Sequence, residues 1–245
     1  MMDLSNPCHR IIVALDVPDA SEAEQFLSQW ETEEKPFIKV GMQLFYATGP
    51  SWVATLVERG YPVFLDVKLH DIPNTVSGAI GSLVKLGVDM ITLHASGGRA
   101  MMEAAREAAE ASGGRKRPAL LGVTQLTSTD EQMLNGELGI PGTVRDSVLN
   151  LAQLAEKSGM DGVVCSGEEA GWMKEHVSGK LLTVTPGIRL KGEDAGDQKR
   201  VMTPEVAIQS GADLLVMGRS ITQSSQPVSV WKQCVKSIQR SERKS

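Results

Sequence analysis

The stretch Gly87-Val88-Asp89-Met90-Ile91-Thr92-Leu93 ends a helical segment on glycine and opens a short apolar run. The same unit recurs as Gly159-Met160-Asp161 before Gly162-Val163-Val164-Cys165 and as Gly211-Ala212-Asp213 before Leu214-Leu215-Val216-Met217, and Gly60-Tyr61 holds the equivalent place before Val63. Glycine there is the helix C-terminal cap expected of a tight helix-to-strand turn. Outward from these anchors, runs rich in Val, Ile and Leu occupy 11–15, 37–40, 63–67, 90–93, 119–123, 162–165, 181–184 and 214–217. Each precedes a polar or glycine-bearing turn and a helical stretch, at 22–30, 51–58, 75–85, 100–111, 144–157, 168–175, 204–209 and 230–239, which is the strand-then-helix pattern. Eight such units predict an α/β fold, a (β/α)8 TIM barrel with 1–245 as one domain. The competing fold is a doubly wound open sheet, which usually carries about five or six strands.

The 245 residues hold 25 Lys plus Arg against 30 Asp plus Glu, a net charge of −5, and only 4% are aromatic. Scattered basic residues with few rings to stack on bases make a poor footprint for a nucleic-acid polymer. An aliphatic core follows, as suits parallel strands covered by helices. Hydrophobic residues at 41% and charged residues at 22% argue against a disordered or fibrous chain. Cys8, Cys165 and Cys234 lie far apart with no Cys-x-x-Cys, so neither a disulfide framework nor a thiolate metal site is expected and the reducing cytoplasm is the expected setting. The run at 11–15 is too short for a signal peptide, and no segment approaches the ~18 apolar residues of a membrane span, so a soluble protein without a membrane partner is expected.

In such a barrel the chemistry lies at the C-terminal strand ends. The runs end in Asp16, Lys39, Asp66 with Lys68, His94, Thr124, Ser166, Thr185 ahead of Pro186-Gly187, and Gly218-Arg219. For each, a solvated loop residue is the plain alternative, but two groups resist it. In Phe64-Leu65-Asp66-Val67-Lys68-Leu69-His70-Asp71-Ile72-Pro73-Asn74-Thr75, strand alternation turns Asp66 and Lys68 to one face and Leu65, Val67 and Leu69 to the other. At a barrel mouth an unpaired ion is costly, so these charges either form an ion pair that locks the barrel or do chemistry. Lys39 ends the preceding strand, so Asp66, Lys68, Asp71 and Lys39 are expected to form an alternating array of acids and bases. The second group is Thr185-Pro186-Gly187-Ile188-Arg189 with Met217-Gly218-Arg219-Ser220, after strands seven and eight, where this fold commonly binds phosphate. Glycine admits backbone amides there and Arg219 offers a bidentate guanidinium. The irregular stretches 127–141 and 188–203 follow strands five and seven, where long loops line a site. Dinucleotide, nucleoside-triphosphate and serine-hydrolase fingerprints are missing. His70 and His94 lack metal-ligand spacing and read as packing residues.

Residues 66–75 resemble the signature of the orotidine 5′-monophosphate decarboxylase family. The resemblance extends to Ala14-Leu15-Asp16, Lys39-Val40-Gly41, His94-Ala95-Ser96-Gly97-Gly98, Thr185 to Arg189, Ala195-Gly196-Asp197-Gln198 and Gly218-Arg219, in the family's order over roughly 10–225, and the length is similar to the stand-alone bacterial form. It implies cofactor-free, metal-free decarboxylation of orotidine 5′-monophosphate to uridine 5′-monophosphate in pyrimidine biosynthesis. It also implies that Lys68 donates the proton and that Asp66 lies against the substrate carboxylate. Asp16 and Lys39 would hold ribose hydroxyls, Thr127 would lie by the pyrimidine, and Arg189, Gln198, Gly218 and Arg219 would bind phosphate and close a loop over it. Asp71 and Thr75 would reach into the site of a partner subunit, making a homodimer. The chemistry fits independently: loss of carbon dioxide from carbon 6 leaves an in-plane anion that no carbonyl delocalises, and a fixed ammonium beside it is the obvious stabiliser. The rivals are the metal-dependent phosphosugar decarboxylases and synthases, which share an Asp-x-Lys-x-x-Asp strand, and a non-catalytic phosphate-binding barrel.

Overall fold

Alternation along the strands divides the apolar residues into two sets. In a computed structural model, which describes residues 6–30, 34–111, 116–177, 179–191 and 202–242, Ile12, Ala14, Phe37, Phe64, Leu121 and Val216 belong to a small cluster that plugs the barrel, whereas Ile11, Val13, Ile38, Leu65 and Leu215 belong to the larger one between sheet and helices. The strands are β1 (Ile11–Leu15), β2 (Phe37–Gly41), β3 (Val63–Leu69), β4 (Met90–His94), β5 (Ala119–Val123), β6 (Gly162–Val164), β7 (Leu182–Thr185) and β8 (Leu214–Met217). Each pairs in parallel with its neighbour in sequence, and Ile12↔Val216 joins β1 to β8, so the sheet closes in chain order. The open-sheet alternative is thereby excluded. The covering helices are α1 (Ala20–Leu27), α2 (Met42–Glu58), α3 (Pro73–Leu83), α4 (Gly98–Glu110), α5 (Val144–Lys157), α6 (Gly167–His176), α7 (Pro204–Gln209), α8 (Arg219–Thr222) and α9 (Pro227–Glu242). No described helix is long and apolar enough to cross a membrane.

The repeated Gly-x-Asp unit locks the floor of the barrel. Gly87, Gly159 and Gly211 sit at φ of +78°, +77° and +101°, where glycine alone escapes a steric cost. The aspartate that follows exchanges two hydrogen bonds with a residue opening the preceding strand. The Asp89 amide donates to the Val63 carbonyl at 2.8 Å and its carboxylate accepts the Val63 amide at 2.9 Å. Asp161 does the same with Leu120, at 2.9 and 2.8 Å, and Asp213 with Thr183, at 3.2 and 2.8 Å. Lys116, Arg117 and Lys174 then neutralise the three carboxylates at 2.6, 2.6 and 2.8 Å. The junctions β3/β4, β5/β6 and β7/β8 are thus tied at the end opposite the charged mouth.

Two elements depart from the sequence expectation. Helix α2 starts at Met42 rather than near 51, because Gly49 (φ +76°, ψ 175°) and Pro50 break it into two helical pieces that the sequence pattern reads as a loop and a helix. Helix α8, a single turn after β8, has too few residues to show a period. Glycine at 162 has a spatial cause: a Cβ there would lie 2.7 Å from the Leu182 carbonyl oxygen and 2.8 Å from Leu182 Cβ. Since β6 is paired on both sides, neither neighbour can retreat cheaply. Gly162→Ala is expected to cost about 2 to 3 kcal/mol, read as a lowered denaturant midpoint at unchanged slope.

Candidate active site

The inward strand positions that carry the apolar plug continue into polar residues at the mouth: Ile12 and Ala14 lead to Asp16, Phe37 to Lys39, Phe64 to Asp66, and Met90 to Thr92 and His94. Because β1, β2 and β3 are neighbours, these ends meet. Lys39 Nζ donates to Asp16 Oδ1 at 2.9 Å and stands 3.6 Å from Asp66 Oδ2, while Lys68 Nζ donates to Asp66 Oδ1 at 2.8 Å. The side chains of Lys39 and Asp66 are 10% and 14% exposed and that of Asp16 is 62% exposed, so the row runs from the wet rim into the buried mouth. Burial pushes the Asp66 carboxyl up, but the Lys39 and Lys68 ammoniums, with hydrogen bonds from Lys68 and Thr92, outweigh it and hold the group below the ordinary carboxylate range. Gly41 keeps the row open, since a Cβ there would come within 3.1 Å of both Asp16 Oδ1 and Lys39 Nζ.

The expected array needs one correction. Within a single chain its fourth member is Asp16 and not Asp71. Asp71, on the turn leading into α3, and Thr75, in the first turn of α3, are both exposed; Asp71 Oδ1 accepts the Ile72 amide at 2.7 Å and joins no ion pair among the described residues. Ile72, between them, is 66% exposed.

Alternation along β3 holds, with Leu65 and Val67 in the outer cluster and Leu69 packed against it while Asp66 and Lys68 meet at the mouth, but the backbone turns irregular at Lys68. Its φ of +49° is the only positive value at a non-glycine position among the described residues. The β3–β4 register runs Leu65↔Ile91 and then Leu69↔Leu93, so four steps along β3 match two along β4. This bulge interrupts the ladder just where the two charges meet, and bulges of this kind are common at strand ends beside sites.

The loop after β7 is tied at its base. Ile188 and Met202 form a parallel bridge, with the Arg189 amide donating to the Met202 carbonyl at 2.9 Å and the Met202 amide to that of Gly187 at 3.3 Å. Arg189 is buried and its Nη1 donates to the Ile188 carbonyl at 3.0 Å. After β8, Gly218 opens α8 and Arg219 is exposed. A Cβ on Gly218 would lie 3.9 Å from Asp16 Oδ2, which sets this turn beside the Asp16 end of the row. Thr127 is half-buried in the turn after β5. Gln198, with the 195–198 motif, lies outside the described residues.

Two residues passed over as strand or packing residues stand in this mouth. Thr92 is fully buried, and His94 has its ring centroid 5.4 Å from that of His70. Burial first, then repulsion from the neighbouring imidazole and the Lys68 ammonium, favours neutral His94 against the pull of Asp66. Their interior strand positions, in step with Met90, were the available signal. Among the described residues no group of three or more His, Cys, Asp or Glu is placed to hold a metal ion.

Fold and site together define a (β/α)8-barrel enzyme with a carboxylate–ammonium row beside two loops that can receive an anion. The chain belongs to the orotidine 5′-phosphate decarboxylase / HUMPS family, which it matches over residues 9–234. It is 49% identical over 224 residues to proteins named orotidine 5′-phosphate decarboxylase from Bacillus mycoides (strain KBAB4) and Bacillus cereus (strain B4264), covering 91% of this chain and 94% of each relative. Among solved structures it is similar to an uncharacterized conserved protein from Geobacillus kaustophilus (TM-score 0.84, 43% identity, 93% of this chain and 99% of that one). It is also similar to orotidine 5′-phosphate decarboxylase from Lactobacillus acidophilus (TM-score 0.84, 36% identity, 94% and 99%).

Proposed function

We propose that this protein converts orotidine 5′-monophosphate to uridine 5′-monophosphate and carbon dioxide, a step of pyrimidine biosynthesis, as a cytoplasmic carbon–carbon lyase. The observation that carries the reading is the Lys39–Asp66–Lys68 cluster, with Asp66 buried between two ammoniums at 3.6 and 2.8 Å, in a chain of this family. Lys68 Nζ stands beside carbon 6. As the bond to the carboxylate carbon breaks, its electron pair stays on carbon 6 and carbon dioxide leaves; Lys68 then gives carbon 6 a proton and recovers one from solvent. A cation already fixed in the site stabilises the developing anion without reorganisation. Asp66 lies against the departing carboxylate, while Asp16 and Lys39 hold ribose hydroxyls and Thr127 the pyrimidine. Arg189, Gln198, Gly218 and Arg219 take the phosphate, whose binding far from the reacting carbon can drive loop closure and exclusion of water. The protein supplies the charge a cofactor would otherwise bring, so none is needed.

The working unit is a homodimer. Asp71 and Thr75, exposed around exposed Ile72 and unconnected to the row in their own chain, are supplied to the site of the second subunit. The test is the ultraviolet absorbance change of orotidine 5′-monophosphate with purified protein in excess chelator and without added cofactor. Rapid conversion to uridine 5′-monophosphate is expected. Folded, dimeric protein that leaves the substrate unchanged would overturn the assignment, and activity only with added divalent metal would move it to the phosphosugar branch.

A further inference from the structure

We propose that Thr92 is a positioning residue, whose hydroxyl sets the Asp66 carboxylate and the Lys68 backbone in one geometry. The bulge leaves the β3 backbone between Leu65 and Leu69 out of register with β4, and Thr92 lies between the two β4 residues, Ile91 and Leu93, that bound this gap. Its side chain does what the ladder does not. Thr92 Oγ1 accepts the Lys68 amide at 2.9 Å and donates to Asp66 Oδ1 at 3.0 Å, the same oxygen that accepts Lys68 Nζ at 2.8 Å. A hydroxyl has one donor and two acceptor lone pairs, and here the donor is committed by the carboxylate. One oxygen atom therefore bridges the backbone of the lysine to its carboxylate partner.

Such a bridge is required because Lys68 holds a left-handed backbone, φ +49°, that an L-residue keeps only when its surroundings over-determine it. Thr92 is fully buried, so no water can replace the hydroxyl without a rearrangement. Without the bridge, the Lys68 backbone relaxes and its ammonium shifts from the place where carbon 6 binds. A misplacement of about 1 Å costs about 100-fold in rate. The inference rests on the assignment of Asp66 and Lys68 under Proposed function.

The decisive comparison is Thr92→Val, of similar shape without the hydroxyl, against Thr92→Ser, which restores it; Thr92→Ala repeats the hydroxyl loss should the valine variant fold poorly. Uridine 5′-monophosphate binding and the thermal midpoint establish folding. Thr92→Val is expected to lower kcat by about 10- to 100-fold with KM changed less than about threefold, and Thr92→Ser to recover most of the loss. The acid limb of the kcat profile gives a second readout. Asp66 is faced by Lys39 from β2, Lys68 from its own strand and His94 from β4, and Thr92 hydrogen-bonds its ionised form. Removing that bond raises the Asp66 pKa, so the limb moves to higher pH, which a purely structural role would not produce. Folded Thr92→Val with kcat within about twofold of wild type, an unmoved acid limb, or Thr92→Ser no better than Thr92→Val would each overturn the inference. Wild-type protein inactive in the same assay would instead overturn the assignment of the reaction.

Discussion

Lys68→Ala is expected to lower kcat by about four orders of magnitude or more while the barrel folds and still binds uridine 5′-monophosphate. Two losses combine. General acid catalysis by a positioned group contributes about 10²- to 10⁴-fold, and a single preorganised electrostatic contact about 10²- to 10³-fold. The proposed mechanism gives both roles to one ammonium, so deletion would remove them together. The fold survives because Asp66 keeps Lys39 at 3.6 Å and the Thr92 hydroxyl at 3.0 Å, so its buried carboxylate is not left alone. Alanine meets the same steric demand at φ +49° as lysine, so the backbone contributes little to the difference. The measurements are the absorbance assay for kcat, calorimetry for product binding and thermal unfolding for integrity. A residual rate within about 100-fold of wild type, with binding intact, would remove Lys68 from the proton-donor role.

The features legible in the sequence are those that depend on neighbours along the chain. All eight apolar runs are strands, and their interior positions, Phe37 then Lys39 or Phe64 then Asp66, follow from a period of two. Pairing of consecutive strand ends then sets Lys39 between Asp16 and Asp66. What escaped depends on contacts distant in sequence. The glycine of Gly87-Val88-Asp89 reads as a cap, but the partner of Asp89 is Val63, on another strand. Thr92 reads as a residue of an apolar strand because its function is to meet a bulge 24 residues earlier, and that bulge has no local signature. Proximity in sequence groups Asp71 with Asp66, whereas the chain, left-handed at Lys68, has reached the surface by Asp71.

Mixing Lys68→Ala chains with Asp71→Ala chains is expected to restore activity that neither variant has alone. A carboxylate whose one hydrogen bond among the described residues is from the next backbone amide, beside an exposed isoleucine and ahead of an exposed Thr75 in α3, has no evident task in its own subunit. In a two-fold dimer every contact made by one chain is made by the other, so an Asp71 that crosses the interface completes one site per chain. A mixed dimer then holds one site with both substitutions and one with neither. Random exchange at equal concentration makes half the dimers mixed, and recovery approaches about a quarter of the wild-type rate. Native mass spectrometry establishes that exchange has occurred, and the absorbance assay reads the recovery against each variant alone. Mixed dimers without activity would place Asp71 in the service of its own chain, and the site would then have to be complete within one subunit. The outward course of the Lys68–Asp71 segment argues for the shared arrangement, since a carboxylate meant for its own Lys68 could have followed the strand inward as Asp66 does.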